Sequence, residues 1–176
     1  ITRTYPANGV FTPAQRTLYE LVLRAQEAAL AAVVPGNPYS AIHDAAVRVL
    51  TEGMLDLGLL DRQKVGSLED AIGTRAYTQF YMHGTGHWLG MDVHDVGAYR
   101  DVSLPEKPSR PLLAGMALTV EPGIYVRPAE GVPERFWHIG IRIEDDVLVT
   151  HAGCRILTAS APKGVAEIET LMQEAR

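Results

Sequence analysis

The sequence of 176 residues is poor in cysteine, since Cys154 is the only one. A single thiol cannot form a disulfide bond within the chain, which argues against a small disulfide-stapled scaffold. A lone cysteine is most often a small core residue. This cysteine usage suits a reducing compartment, and we expect a cytoplasmic protein.

The sequence also lacks an excess of basic charge and long hydrophobic runs. Lysine and arginine total 16 against 21 aspartates and glutamates, for a net charge of -5, whereas nucleic-acid binders usually carry a basic surface. The longest apolar run, 28–34, falls far short of the roughly 20 residues that a membrane-spanning helix needs. We therefore expect no nucleic-acid partner and no membrane partner.

The remaining composition is that of an ordinary globular protein. Hydrophobic residues make up 47% and charged residues 21%, both close to the globular average. The length suits one folded domain or most of one, and it is sufficient to bury a core.

Helix signals dominate the first half of the sequence. The run from Thr12 to Gln15 is typical of a helix start with a capping box, and the apolar spacing after it predicts a helix that ends at Val34. Ser40 predicts the N-cap of a second amphipathic helix, which Gly58 ends. A short helix is predicted after Ser67 and another at the C-terminal end.

Alternating apolar residues replace the helical spacing further along. The segments 116–121 and 139–144 each predict a strand with one apolar and one polar face. The run 147–149 follows an acidic turn and predicts a hairpin return beside the second strand. Residues 99–115, rich in proline and charge, predict a surface loop. Helices with an antiparallel sheet define the α+β class.

Three of the six histidines fall in one segment, at His83, His87 and His94. The spacing of the first two matches a helical zinc motif, but Gly84 and Gly86 favour extended or turning backbone instead. Glycines also allow the backbone to approach a ligand or another strand closely. The segment is a candidate functional site, with satisfied polar residues in a tight loop as the alternative.

Each predicted strand carries a glutamate on its polar side, Glu121 and Glu144. A carboxylate in an otherwise apolar strand is costly unless it is paired or binds a cation. One histidine with two carboxylates favours manganese, cobalt or zinc in hydrolytic chemistry. The alternative is a structural ion pair between Arg142 and Glu144 without any metal.

Three segments stand in an order that resembles a known family: 83–97 with its histidines, Thr119 to Tyr125 with Glu-Pro-Gly, and Gly140 to Asp146 with Arg-Ile-Glu-Asp-Asp. They are similar to the pita-bread metallopeptidases, in particular the Xaa-Pro aminopeptidases (aminopeptidase P). The resemblance implies helices packed on a curved, mainly antiparallel sheet. It also implies that a hydroxide bridging two divalent metal ions, usually manganese with cobalt or zinc as alternatives, cleaves the N-terminal bond before proline.

The resemblance assigns roles to seven residues of this sequence. The expected metal ligands are His87, Glu121 and Glu144, with Glu144 bridging and Glu121 also shuttling a proton. The residues expected to bind substrate or stabilise the reacting carbonyl are His83, His94, Tyr125 and Arg142. Of these, Arg142 is expected to orient Glu144.

The family pattern includes two further metal-binding aspartates upstream, the second directly before a segment like 1–4. We therefore expect residues 1–176 to be the C-terminal part of the catalytic domain, with its first strands outside this chain, and to be inactive alone. A prolidase that cleaves only Xaa-Pro dipeptides and a non-catalytic binding module of the same fold are the alternatives. Association into a homo-oligomer remains open.

Overall fold

The computed structural model describes residues 1–174 of the chain. Over these residues, helices come first and antiparallel strands follow, which confirms the α+β class. The elements are α1 (Pro13–Ala31), α2 (Ser40–Asp56), α3 (Arg62–Val65), α4 (Leu68–Gly73), β1 (Ala117–Val120), β2 (Gly123–Val126), β3 (Ile139–Arg142), β4 (Asp145–Thr150), β5 (Gly153–Ile156) and α5 (Val165–Glu174).

Helix α1 begins at the predicted capping box. The Gln15 backbone N–H donates to the Thr12 hydroxyl at 3.3 Å, and the Thr12 N–H donates to the Gln15 side chain at 2.9 Å. The helix ends at Ala31, earlier than the predicted end at Val34. Tight turns follow, because a residue that precedes proline disfavours helical backbone.

The start of helix α2 differs from the prediction. Ser40 is its first residue rather than its N-cap, and the N-cap Tyr39 makes no side-chain capping bond. The Ser40 backbone N–H donates instead to the hydroxyl of Ser109, in the 99–115 loop, at 2.9 Å. Local spacing cannot reveal such a distant cap. Gly58 ends the helix as predicted, with a φ of 71° that glycine adopts freely.

The shorter predicted elements are confirmed. Helix α4 starts at a capping box between Ser67 and Asp70, and α5 occupies the C-terminal end of the described residues. The predicted loop 99–115 has no helix or strand of its own, but a bridge between Arg100 and Ser109 ties it together. No helix among the described residues is long and apolar enough to cross a membrane.

The strands form a three-stranded sheet in the order β1-β4-β5 and a two-stranded sheet of β2 and β3, all antiparallel. One register runs through both sheets, because Val120 pairs with Asp145 at one side of the junction and Gly123 pairs with Arg142 at the other. Pro122 stands at this junction and cannot donate a ladder hydrogen bond.

The predicted hairpin between segments 139–144 and 147–149 is wrong. Strands β3 and β4 lie in different sheets and do not pair with each other; β3 pairs with β2, and β4 pairs with β1 and β5. The tight hairpin is β4–β5, closed where Thr150 pairs with Gly153. Alternation in the sequence located the strands, but it carries no information on which strands are partners.

The helices cover the apolar side of both sheets. One buried cluster joins α1 and α2 to β2 and β3 through residues such as Leu21, Leu50 and Ile124. A second cluster joins the ends of the same helices to β1 and β4 through residues such as Leu118 and Val147. This packing holds the junction between the two sheets at a defined place on the helical layer.

Candidate metal centre

The two candidate glutamates lie at the junction between the sheets. Glu121 follows β1 and Glu144 precedes β4, so the shared register places them opposite each other. Their side chains are 16% and 10% exposed. Two carboxylates are therefore held close together and largely away from water, by strand pairing between residues far apart in the sequence.

His87 reaches the same junction because its segment runs along the free edge of β1. The Thr119 backbone N–H donates to the His87 carbonyl at 3.0 Å, and the Glu121 N–H donates to the Thr85 carbonyl at 2.6 Å. Gly86 permits this approach, since a Cβ atom there would lie 2.0 Å from the Thr119 carbonyl oxygen. The backbone is not helical, as the glycines predicted.

The His87 ring has a defined orientation. Its Nδ1 donates to the Trp88 carbonyl oxygen at 2.9 Å, which leaves Nε2 facing the carboxylates. Nε2 lies 3.5 Å from Glu121 Oε1 and 4.0 Å from Glu144 Oε1. The three candidate ligand atoms all lie within 4.8 Å of one another. A backbone hydrogen bond to the other ring nitrogen is the usual device that fixes a metal-binding imidazole.

These residues fit a divalent cation. Two nearby carboxylates that are mostly buried repel each other unless a positive charge lies between them. The oxygen and imidazole donors suit manganese, cobalt or zinc better than sulfur-preferring metals. Among the described residues, His87, Glu121 and Glu144 form the one such group of three or more candidate ligands.

The alternative ion pair between Arg142 and Glu144 is not formed directly. Arg142 Nε lies 4.0 Å from Glu121 Oε2 instead. Its connection to Glu144 passes through the Thr2 hydroxyl, which lies 3.4 Å from Arg142 Nε and donates to Glu144 Oε2. The backbone N–H of each of Thr2 and Glu144 also donates to the carbonyl of the other. The N-terminal segment therefore holds the Glu144 carboxylate in position.

Three of the expected substrate-binding residues form a chain beside the glutamates. His83 Nδ1 donates to the Gly84 carbonyl at 2.7 Å, so Nε2 accepts the Tyr125 hydroxyl proton at 2.8 Å. Burial raises the pKa of Tyr125, and the neighbouring Arg142 opposes that rise. In this arrangement both ring nitrogens of His83 are occupied, so the ring has no free N–H for a substrate.

His94 lies on the open side of the centre. Its ring is exposed and stands edge-on to the His87 ring, with centroids 4.2 Å apart. Within residues 1–174 its ring makes no hydrogen bond. Of the two histidines expected to act on substrate, His94 therefore has the free donor.

A buried polar group that no sequence motif predicts lies beneath this segment. His43 Nδ1 lies 2.8 Å from the Thr85 hydroxyl, and the Tyr81 hydroxyl lies 2.6 Å from the same oxygen. Burial lowers the pKa of His43 and raises the pKa of Tyr81. The Thr85 carbonyl in turn holds the backbone of Glu121. No local motif marks this group, because His43 is distant in the sequence from Tyr81 and Thr85.

A second missed group surrounds Asp145, next to Glu144. Its fully buried carboxylate accepts from Arg3 at 2.8 Å and from Lys163, Gln26 and Thr158, each at 2.7 Å. Burial would raise the pKa of Asp145, but these hydrogen bonds outweigh it and lower the pKa to about 2. The acidic run 144–146 is the only local signal for this group, and it does not name the partners.

Over residues 1–151 the chain matches the family described as Metallopeptidase family M24, and it belongs to this family. The Xaa-Pro aminopeptidase of Haemophilus influenzae is 50% identical over 98% of this chain, and that of Escherichia coli is 46% identical over all of it. The chain spans 38% of the length of each of these relatives.

Solved structures show the same similarity. The Pseudomonas aeruginosa aminopeptidase PepP matches 99% of this chain with a TM-score of 0.93 and 52% sequence identity. A zinc-substituted Escherichia coli aminopeptidase P in complex with product matches the whole chain with a TM-score of 0.90 and 46% identity. This chain covers 38% of each of those chains. The predicted family resemblance and fold are confirmed.

Proposed function

We propose that the protein is an Xaa-Pro aminopeptidase, which hydrolyses the N-terminal peptide bond before proline. The observation that carries the proposal is the convergence of His87, Glu121 and Glu144 within 4.8 Å. The names of the relatives supply the substrate class, a peptide with proline at the second position. The proposed location is the cytoplasm.

His87, Glu121 and Glu144 would hold two divalent ions, manganese first and cobalt or zinc as alternatives. Bound there, such ions make water nucleophilic at neutral pH and polarise the scissile carbonyl. Glu121 accepts the proton of the attacking water and returns it to the departing amine. Glu144 would be a ligand of the cations, and the hydrogen bond from the Thr2 hydroxyl holds its orientation.

The substrate is held by the chain of side chains beside the centre. The exposed ring of His94 donates to the oxygen that becomes negatively charged, a role commonly worth about 10²–10³ in rate. Tyr125 and Arg142 line the adjoining cleft, and His83 fixes the Tyr125 hydroxyl through its hydrogen bond. These groups orient the peptide before it reacts.

We propose further that residues 1–176 are the C-terminal part of the catalytic domain and that two upstream aspartates complete the ligand set. The backbone nitrogen of Ile1 lies 3.5 Å from Glu144 Oε2, so a residue that precedes Ile1 in a longer chain enters the centre directly. Three protein ligands are too few for two ions, so residues 1–176 alone are proposed to be inactive.

The test is hydrolysis by the full-length protein loaded with manganese, cobalt or zinc. Release of the first residue from Xaa-Pro-Yaa tripeptides supports the aminopeptidase. Activity confined to Xaa-Pro dipeptides would establish the prolidase alternative. A protein that binds two metal ions per chain yet cleaves neither peptide would contradict the proposal and favour a binding module.

A further inference from the structure

The cleft beside the metal centre extends along the open face of the two-stranded sheet. It measures about 420 Å³, and its lining includes His83 and Arg142 at one end, Tyr125 in the middle, and Arg127 and His138 at the other end. The opposite face of these strands is core, with Ile124 fully buried. The open face is therefore free to receive an extended peptide that leaves the metal centre.

Strand register defines the shape of this face. Gly123 pairs with Arg142 and Tyr125 with Gly140, and residues two apart on a strand share a face. The Tyr125 ring lies over both glycines, because a Cβ at Gly123 would be 2.7 Å from the Tyr125 hydroxyl and a Cβ at Gly140 3.4 Å from its ring. The cleft therefore has a flat floor with an aromatic ring in its middle.

The far end of the cleft is basic. Continued in the same register, Arg127 faces His138, and the His138 backbone N–H donates to the Val126 carbonyl at 2.8 Å. This pair lies four residues beyond the Gly123–Arg142 pair, about 13 Å along the strands. The cleft lining contains no acidic residue. Neither Arg127 nor the His138 ring has an ion-pair or hydrogen-bond partner among residues 1–174.

His138 occupies its place at a backbone cost. Its φ is 63°, in the left-handed region that glycine adopts freely and in which histidine is one of the few other residues that are enriched. Strained residues of this kind cluster where a side chain has a task. The imidazole at this turn is exposed and contributes nothing to the core, so folding does not account for it.

We propose that Arg127 and His138 select peptides that carry a carboxylate on the downstream side of the scissile bond, either the C-terminus of a short peptide or an acidic side chain. The inference rests on the proposed function, and it names the substrate class within it. An extended peptide rises about 3.3–3.6 Å per residue. A carboxylate three or four residues past the scissile bond therefore reaches the basic pair.

The test uses the full-length protein and the peptide Ala-Pro-Ala-Ala-Ala as free acid and as C-terminal amide. A third peptide ends in a glutamate amide, which separates a side-chain carboxylate from a terminal one. We expect kcat/KM to favour either carboxylate peptide over the neutral amide by about threefold to tenfold, because the basic groups are exposed and exposed charge pairs are weak.

Substitutions at Arg127 and His138 test whether these two residues cause the preference for a carboxylate. Arg127→Ala should lower the acid-to-amide ratio most of the way to one while activity on the neutral amide stays, and Arg127→Lys should retain more of the ratio. His138→Gly should lower the ratio and keep the fold, since glycine suits the φ of this position. Arg24→Ala is the matched control, because Arg24 is exposed on α1, which packs against the core side of these strands.

A binding measurement separates this inference from the proposed function. Calorimetric titration with the product-like peptide Pro-Ala-Ala-Ala needs no turnover, and its free acid should bind more tightly than its amide by the same factor. Failure to hydrolyse any Xaa-Pro peptide contradicts the proposed function, whereas the binding preference would still support the inference. Equal affinities for acid and amide would overturn the inference even in an active enzyme.

Discussion

Replacing Asp145 with asparagine should strongly destabilise the protein. The carboxylate is fully buried and accepts from Arg3 and Lys163 at 2.8 and 2.7 Å. The amide keeps the volume but removes the charge, which leaves an Arg3 guanidinium that is only 7% exposed without its anion. The Lys163 side chain is 24% exposed and can be hydrated more easily. The unpaired Arg3 therefore accounts for most of the expected loss of stability.

The expected magnitude follows from these contacts. Hydrogen bonds to charged groups are worth about 1.5–3 kcal/mol each, and breaking a buried ion pair from one side costs about 3–5 kcal/mol. For a folding unit of this size, the melting temperature falls by about 2–4 °C per kcal/mol. We therefore expect a decrease of roughly 6–20 °C in the full-length protein, measured by circular dichroism.

The matched control is Asp56→Asn, which removes an ion pair with Arg62 where both side chains are more than half exposed. Exposed pairs contribute about 0–1 kcal/mol, so this variant should melt close to the wild type. If Asp145→Asn lost no more stability than the control, the buried hydrogen bonds of Asp145 would not stabilise the packing of the N-terminal segment against β4.

Three further results are expected. His87→Ala should lower bound metal and activity together, because the remaining carboxylates cannot replace the imidazole, and two metal ions per chain in this variant would refute the ligand assignment. His94→Ala should keep its metal while kcat falls by roughly 10² or more; a raised KM with unchanged kcat would make His94 a ground-state contact. Hydrogen bonds from the Phe11 backbone and Arg16 lower the pKa of Glu169 below its ordinary value of 4.5. The ionised carboxylate therefore stabilises the folded protein fully above pH 4.5, and this stabilisation is lost as the pH falls through the lowered pKa. As the pH falls below 4.5, the free energy of unfolding of Glu169→Gln should therefore depend less on pH than that of the wild type, and equal slopes would show that Glu169 contributes nothing.

Local chemistry made much of the fold predictable. The capping box at Thr12, the stop at Gly58 and the alternation before Glu121 each depend on neighbouring residues, and each is found in the structure. The N-cap predicted for Ser40 and the hairpin after Glu144 depend on residues distant in the sequence, and both predictions are wrong.

The candidate centre likewise contains residues that could be predicted from the sequence and residues that could not. His87, Glu121 and Glu144 stand out because their residue types are costly in apolar or glycine-rich segments, and the structure brings them together. Thr2 has no local signal in the sequence, and the acidic run that contains Asp145 does not identify its partners. The contacts of both residues depend on a strand register that residue spacing does not encode. Arg142 was expected beside Glu144, but its Nε lies 4.0 Å from Glu121 and 3.4 Å from the Thr2 hydroxyl, which stands between it and Glu144.

Anomalous X-ray diffraction from manganese-loaded crystals of the full-length protein shows directly whether His87, Glu121 and Glu144 bind the metal ions. We expect two anomalous peaks, with Nε2 of His87 and carboxylate oxygens of both glutamates at about 2.0–2.5 Å from them. Peaks at any other group of side chains, with these three residues left without metal, would contradict this ligand assignment.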